Sequence, residues 1–293
     1  MVAQLLINGI SLGAVYALIA VGFAVVFSVL KFSNFAHGGM ISACAYIGFF
    51  FQRSFDPAPS ILVTILFTGL CGMGIAILLD TVAYRSIRKN KSPSIYYFLS
   101  SLTISIIIEQ ILNIGYSKNP YAYPNIFSSN FFMIGNLRIS TMDTLIMAIS
   151  LLILVLMIVV ITKTKMGLAI RAVAINADTS RLMGINSGVV VVMVFLIAGF
   201  LAGVSGVLLG AKYSVYPDLG QTMMVKGFIA SVIGGLGSLG GAIAAAVLLG
   251  VLEIFWTYFF GAFSAPVMLF ILMLLFLFIR PQGIAGKFAK EKV

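Results

Sequence analysis

From Leu5 to Leu30 the chain runs for 26 residues without one Asp, Glu, Lys or Arg, and a helix needs only about 20 apolar residues to cross a bilayer. Comparable runs follow at Met40–Phe51, Ser60–Leu79, Ser94–Gly115, Thr144–Thr162, Gly188–Ala211, Gly227–Phe260 and Pro266–Ile279. Their apolarity is continuous rather than alternating, which disfavours a β-barrel. Soluble domains hold about 25% charged residues; this chain, at 9% charged, 61% hydrophobic and a mean hydropathy of +1.14, cannot fold as one. The expectation is an all-α polytopic transmembrane bundle of about eight spans, in a range of about seven to nine, forming a single domain over residues 1–293.

The first run lacks a basic leader and a small-residue cleavage site and is too long for a signal peptide, so it is expected to remain in the mature chain. Cys44 and Cys71 lie inside apolar runs with no metal or redox spacing and read as small core residues. The net charge of +10 is not spread as nucleic-acid binding would need. Twelve of the 18 Lys and Arg fall in three clusters: Arg85, Arg88, Lys89 and Lys91; Lys163, Lys165, Arg171 and Arg181; Arg280, Lys287, Lys290 and Lys292. Each cluster holds one acid (Asp80, Asp178, Glu291), the pattern of cytoplasmic segments. The two internal clusters then share a side, the loop 117–143 lies outside, and the tail 280–293 is cytoplasmic.

That assignment forces the stretch Gly227–Ile279 to cross an odd number of times, which two plain helices cannot do. Residues 227–253 hold seven glycines in 27 positions, with Gly234-Gly235-Leu236-Gly237-Ser238-Leu239-Gly240-Gly241 at the centre. Such a run breaks a helix, and non-helical backbone at membrane depth survives only within protein or beside a water-filled cavity. A re-entrant or half-length helix is expected there. Leu30–Met40 is its counterpart in the first half, where Lys31, Ser33, Asn34, His37, Gly38 and Gly39 interrupt two apolar stretches. Paired broken helices point to a translocation path, which nominates Asn34, His37, Gly38, Gly235, Gly237, Ser238 and Gly241. Gly199, Gly203, Gly206 and Gly210, beside Ala198 and Ala202, read instead as a close-packing helix face.

The loop 163–187 has 25 residues and no proline, and Gly184 is a plausible stop, so one helix over Gly167–Met183 is expected beneath the membrane. Leu168, Ala172, Ile175, Thr179 and Leu182 form one stripe, with Arg171, Asp178 and Arg181 on a neighbouring face. Pattern alone leaves two uses open: resting on lipid headgroups or docking to a cytoplasmic protein.

Here the residues themselves add information. Gly167-Leu168-Ala169-Ile170-Arg171-Ala172-Val173-Ala174 followed by Arg181-Leu182-Met183-Gly184-Ile185-Asn186 resembles the coupling loop of branched-chain amino acid ABC transporter permeases. Asn34-Phe35-Ala36-His37-Gly38 and Gly234–Ala242 resemble two further motifs of that family, in the same order and separation, and the resemblance extends from Gly9 to about Gly283. Members often carry Arg where this chain has Leu168 and Pro where it has Gly240. The resemblance implies a bacterial inner-membrane permease subunit that imports branched-chain or related amino acids. It would work with a second homologous permease or a second copy, two cytoplasmic ATPase subunits, and a periplasmic or surface solute-binding protein. It further implies that Gly167, Arg171, Ala172, Asp178, Arg181 and Gly184 couple to the ATPase. No cofactor is expected in this chain, ATP being bound by the partners: there is no Gly-x-x-x-x-Gly-Lys-Ser/Thr loop, and Gly286-Lys287 lacks its spacing.

Glu109 lies deep in its span with Ser101, Ser105 and Asn113 within helical reach, and an intramembrane ionisable group is a path candidate by default. The preferred reading is nonetheless structural, a carboxyl bonded to Asn113 one turn on. His37, the only histidine, cannot build a multi-His metal site, so no metal site is expected; it either orients the break with Asn34 or satisfies freed backbone groups. Glu253, near Trp256 and Tyr258, is expected at the membrane interface. In the external loop, Tyr116, Tyr121, Tyr123, Phe127, Phe131 and Phe132 suit either a docking surface or an aromatic belt. A self-sufficient secondary transporter or channel is the main alternative, disfavoured by few charges in the spans. A membrane enzyme is disfavoured because the eight acids are scattered singly, so no catalytic residue is expected.

Overall fold

A computed structural model of the chain describes residues 2–56, 58–90, 92–116, 119–123, 131–134 and 137–286. Lys91, Ser117, Phe127, Lys287, Lys290, Glu291 and Lys292, invoked above, lie outside the described residues. The elements are α1 (Val2–Leu30), α2 (Ala36–Arg53), α3 (Ile61–Leu79), a π-helical turn (Asp80–Tyr84) leading into α4 (Arg85–Lys89), and α5 (Ser94–Tyr116). A short antiparallel hairpin, β1 (Phe131–Ile134) and β2 (Leu137–Ser140), precedes α6 (Thr141–Lys163), α7 (Lys165–Ile175) and α8 (Ala177–Leu182). The chain closes with α9 (Ser187–Tyr213), α10 (Leu219–Gly234), α11 (Leu239–Phe260) and α12 (Ala265–Ile279).

Among the described residues seven helices are long and apolar enough to cross a membrane, α3 counted together with α4 and α12 with the preceding 3-10 turn. Two more helices complete the bundle. α2 spans 18 residues but carries His37, Gln52 and Arg53, while α10 is apolar but only 16 residues long. The expected run Gly227–Phe260 is therefore two helices, broken at Gly235–Ser238, and α10 begins upstream at Leu219, taking Lys226 into its middle. Gly235 and Gly237 sit at φ +102° and +87°, a conformation that costs glycine little and other residues much. In the first half the interruption is Lys31–Phe35, with Lys31 at φ +55°; Gly38 and Gly39, expected in the break, lie in the first turn of α2.

α1 forms the axis, with residues 11–26 almost entirely buried. It is held by backbone-to-backbone approaches that only glycine permits: a Cβ on Gly13 would sit 2.6 Å from the Val247 Cα of α11. The stripe on α9 packs as expected, and against two neighbours. Gly199 and Gly203 press on Gly72 and Thr68 of α3, while Gly206 would place a Cβ 2.7 Å from the Ile41 carbonyl of α2. With no hydrophobic effect between helices in lipid, close van der Waals approach is the force available.

One end of the bundle is basic. The end of α1 (Leu30), α4 with Arg85, Arg88 and Lys89, and α8 with Arg181 surround a single groove of about 350 Å³. The Gly235–Ser238 break reaches the same end, where the amides of Ile284 and Ala285 donate to the Ile233 and Gly234 carbonyls at 2.8 and 3.1 Å. At the opposite end Gln4 exchanges hydrogen bonds with the backbone of Arg138, and Lys212 pairs with Asp143 at 2.7 Å.

Candidate translocation core and docking face

Both short helices start inside the bundle, and their starts meet. The Phe35 amide, just before α2, donates to the Ser101 hydroxyl at 3.1 Å, about two turns into α5 from the basic end. From there α2 climbs to the far end, where Gln52 donates to Thr64 and to the Pro59 carbonyl. α10 begins beside the first turns of α2, the Gly220 amide donating to Ser42 Oγ at 2.8 Å, and descends to the basic end. Gly38 faces Gln221, whose Oε1 accepts from Ser105 Oγ of α5 at 2.9 Å, and Gly39 lies against Ser105 itself. Two helix starts carry partial positive charge into the interior at this junction, a form suited to a dipolar or anionic solute.

α5 supplies the polar wall. Ser101, Ser105, Glu109 and Asn113 recur every four residues and so share one face. Ser101 and Ser105 are buried at the junction, while Glu109 and Asn113 open into a cleft of about 540 Å³ with Tyr213, Tyr216 and Asp218. Among the described residues no hydrogen bond joins Glu109 to Asn113, so the expected structural bond is not formed.

The nominated path residues divide into separate groups. Asn34, His37 and Gly38 stand at the junction. Asn34 Oδ1 accepts from the Tyr84 hydroxyl at 2.8 Å and is not paired with His37. The His37 ring is 1% exposed, neither nitrogen has a partner among the described residues, and it rests in the space left by Gly22, where a Cβ would come within 2.7 Å of Nε2. Gly235, Gly237, Ser238 and Gly241 are not at the junction but form the turn at the basic end, where Ser238 Oγ caps α11 by accepting from the Gly241 amide at 3.3 Å. Glu109 lies toward the far end.

Two further expectations are corrected. Glu253 is not interfacial: it is buried, paired with Lys226 Nζ at 2.5 Å, and its other oxygen accepts from Tyr16 Oη at 2.9 Å. Lys226 Nζ also donates to Tyr16 Oη at 2.9 Å, so α1, α10 and α11 are joined by one network inside the membrane. Lys226 went unnoticed in the sequence because it falls one residue outside the uncharged run that starts at Gly227. The external aromatics also split. Tyr123 Oη donates to the Ala45 carbonyl, Tyr121 bridges to Val215, and Tyr116 stacks on Tyr46 at 5.2 Å, so these three serve the fold. Phe131 and Phe132 stay exposed on the hairpin, with Arg138 over the Phe131 ring at 3.8 Å.

At the basic end the expected single helix is two. Asn176 adopts an extended φ of −155°, ends α7, and caps α8 by accepting from the Asp178 and Thr179 amides at 3.0 Å. An Asx cap competes with helix continuation, which is why Gly167–Met183 breaks there. Gly184 follows α8 at φ +83°, the expected stop. Gly167, Ile170, Val173 and Ser180 face the bundle. The stripe faces away, with Ile175 87% and Leu182 89% exposed, Leu168 exposed and Ala172 half-buried. Arg171 donates to the Ile161 carbonyl at the end of α6, and Arg181 reaches both Ser187, at 2.7 Å, and Asp178, at 3.5 Å.

A model of the branched-chain amino acid transport system permease component matches residues 5–279. The high-affinity branched-chain amino acid transport system permease protein BraD of Pseudomonas aeruginosa is 32% identical over 99% of this chain and 97% of its own length. LivH of Escherichia coli, described in the same words, is 31% identical with the same coverage. A probable branched-chain amino acid transport permease protein LivH from Methanocaldococcus jannaschii is 26% identical over 92% of this chain and 88% of its own. Among solved structures, PsaBC from Streptococcus pneumoniae in complex with Fab aligns with a TM-score of 0.50 over 96% of this chain and 92% of that one; at 15% identity this speaks for the fold alone. Because the family match begins in the first turns of α1 and ends at the last residue of α12, taking in both broken helices and the α7–α8 segment, the chain belongs to the permease components of branched-chain amino acid transport systems.

Proposed function

We propose that this chain is the membrane-spanning subunit of an ATP-driven importer of branched-chain or closely related amino acids in a bacterial inner membrane. It pairs with a second permease or a second copy of itself, two ATPase subunits at the basic, cytoplasmic end, and a solute-binding protein at the other. The observation that carries this reading is similarity over 99% of the chain to permeases of branched-chain amino acid transport. Supporting it, α7 and α8 turn a row of apolar side chains away from the bundle beside a groove lined by Arg85, Arg88, Lys89 and Arg181. Lipid needs no such groove; a protein partner does. Motion imposed on α8 passes to α9, because Asn186 and Ser187 tie the two ends together within a few residues. α9 in turn grips α2 and α3 through its glycine face, and so reaches the junction. The path residues in this mechanism are Asn34, His37, Gly38 and Glu109; Gly235, Gly237, Ser238 and Gly241 serve as a hinge at the cytoplasmic end.

The test is leucine uptake into proteoliposomes that hold the chain with its ATPase, permease and binding-protein partners. Uptake is expected to require ATP. Leu182→Asp, at a side chain free of the fold, is expected to lower uptake about tenfold or more, the size of losing an interface anchor, with unchanged abundance in the membrane. Uptake by the chain alone, driven by an ion gradient, would establish the secondary-transporter alternative instead.

A further inference from the structure

We infer that the cleft between α5 and the 213–218 connection is an entry site for a zwitterionic amino acid, Glu109 and Asp218 taking the ammonium group and tyrosine hydroxyls the carboxylate. The inference rests on the transport reading above and names where the solute first binds this chain. The cleft measures about 540 Å³, within the roughly 300–1,000 Å³ of small-ligand sites. Its lining is Glu109, Gln110 and Asn113 of α5 with Tyr213, Tyr216 and Asp218, closed by Pro120 and Pro217.

Among the described residues neither carboxylate is paired with a cation. All four ion pairs among the described residues use other acids: Asp80, Asp178, Asp143 and Glu253. A carboxylate in a spanning helix is costly unless paired, so Glu109 leaves a place for a positive charge. The second observation is independent. Tyr46 of α2 is 2% exposed, its hydroxyl has no hydrogen-bond partner among the described residues, and it borders the neighbouring cavity with Leu112 and Tyr116 of α5, within electrostatic reach of Asp218. A buried hydroxyl without a partner is a donor awaiting one. Tyr216, in the lining of the cleft, supplies a further hydroxyl; burial and then the Asp218 charge raise its phenol above the ordinary value. A positive end between carboxylates and tyrosine faces, with hydroxyl donors close by, describes an amino acid better than a metal ion; among the described residues no group of three metal ligands exists.

The position favours a solute over a knob of the binding protein. One turn below Glu109 on the same face of α5 lies Ser105, bonded to Gln221, and Gln221 lies against Gly38. The cleft therefore lies one helical turn along α5 from the junction of the two helix starts.

The experiment compares Glu109→Gln, Asp218→Asn and Tyr46→Phe in the assembled importer, measuring kcat and KM for L-leucine uptake and the affinity of the binding protein for the assembly. Removing one partner of a charged hydrogen bond should lower kcat/KM about tenfold or more for Glu109→Gln. Tyr46→Phe deletes a hydroxyl that bonds nothing in the fold, so folding should hold while kcat/KM falls about threefold or more; with Asp218→Asn it decides the matter if Glu109→Gln fails to reach the membrane. Kinetics within about twofold of wild type in all variants would overturn the site. An equal loss of binding-protein affinity would overturn it too, reassigning the cleft to docking. A wild-type assembly that imports no amino acid would overturn the transport reading and the site with it, whereas wild-type import with unaltered variants sinks the site alone.

Discussion

Replacing Lys226 by Met should cost this protein far more than replacing both Lys226 and Glu253. In the native chain the pair is held at 2.5 Å with side chains 15% and 9% exposed, and Tyr16 bonds to each member at 2.9 Å. Lys226→Met leaves Glu253 in the bundle interior with one neutral hydroxyl; Glu253→Met leaves Lys226 with the same. Breaking a buried pair from one side costs about 3–5 kcal/mol, whereas exchanging both members for apolar groups of similar volume is often close to neutral. Chains unfolded within a membrane find other partners, which pulls such values toward the low end. The expectation is about 3 kcal/mol for each single substitution and about 1 kcal/mol or less for the double, a coupling near 5 kcal/mol. Unfolding of the purified chain by SDS in mixed micelles, followed by Trp256 fluorescence, measures all three. Single substitutions costing under about 1 kcal/mol, adding simply in the double, would mean that water or lipid headgroups reach the network and that it is not buried as described.

At the α3–α9 crossing a Cβ on Gly199 would collide with the Gly72 carbonyl, while one on Gly74 meets nothing within 4 Å. Gly199→Ala should therefore destabilise by about 1–3 kcal/mol as overpacking, and Gly74→Ala should be neutral or slightly stabilising; thermal unfolding in detergent separates them. Asn176→Ala removes both cap bonds of α8 and should cost about 1 kcal/mol locally, seen as faster amide exchange at residues 177–182 with little change in global stability.

Legibility from sequence was uneven, for physical reasons. The spanning helices, the glycine face of α9 and the chain break near Gly235 rest on local properties: uncharged length, small residues at helical spacing, and glycine's tolerance of positive φ. Parity of crossings even required the extra half-helix, since charge on the loops is set by which side of the membrane they face. The junction was half legible. His37 and Gly38 were singled out because they interrupt a run, but Ser42, Gln221 and the close approach of Gly220 were not. Their partners lie 178 and 116 positions away along the chain, in Ser42–Gly220 and Ser105–Gln221.

What the sequence determined by itself was the solvent the chain must live in, where most of its apolar segments lie and which end is basic, because these depend on residue composition over one or two dozen positions. What only the tertiary structure decided was which polar groups meet. Glu253 read as interfacial until Lys226, on the other side of a helix break, was brought to 2.5 Å from it, and Glu109 looked paired to Asn113 until the fold placed both in an open cleft. Helical spacing says which face a residue occupies; it cannot say what the neighbouring helix presents to that face, and in a medium with no water the partner decides whether a charge is structural or free to bind.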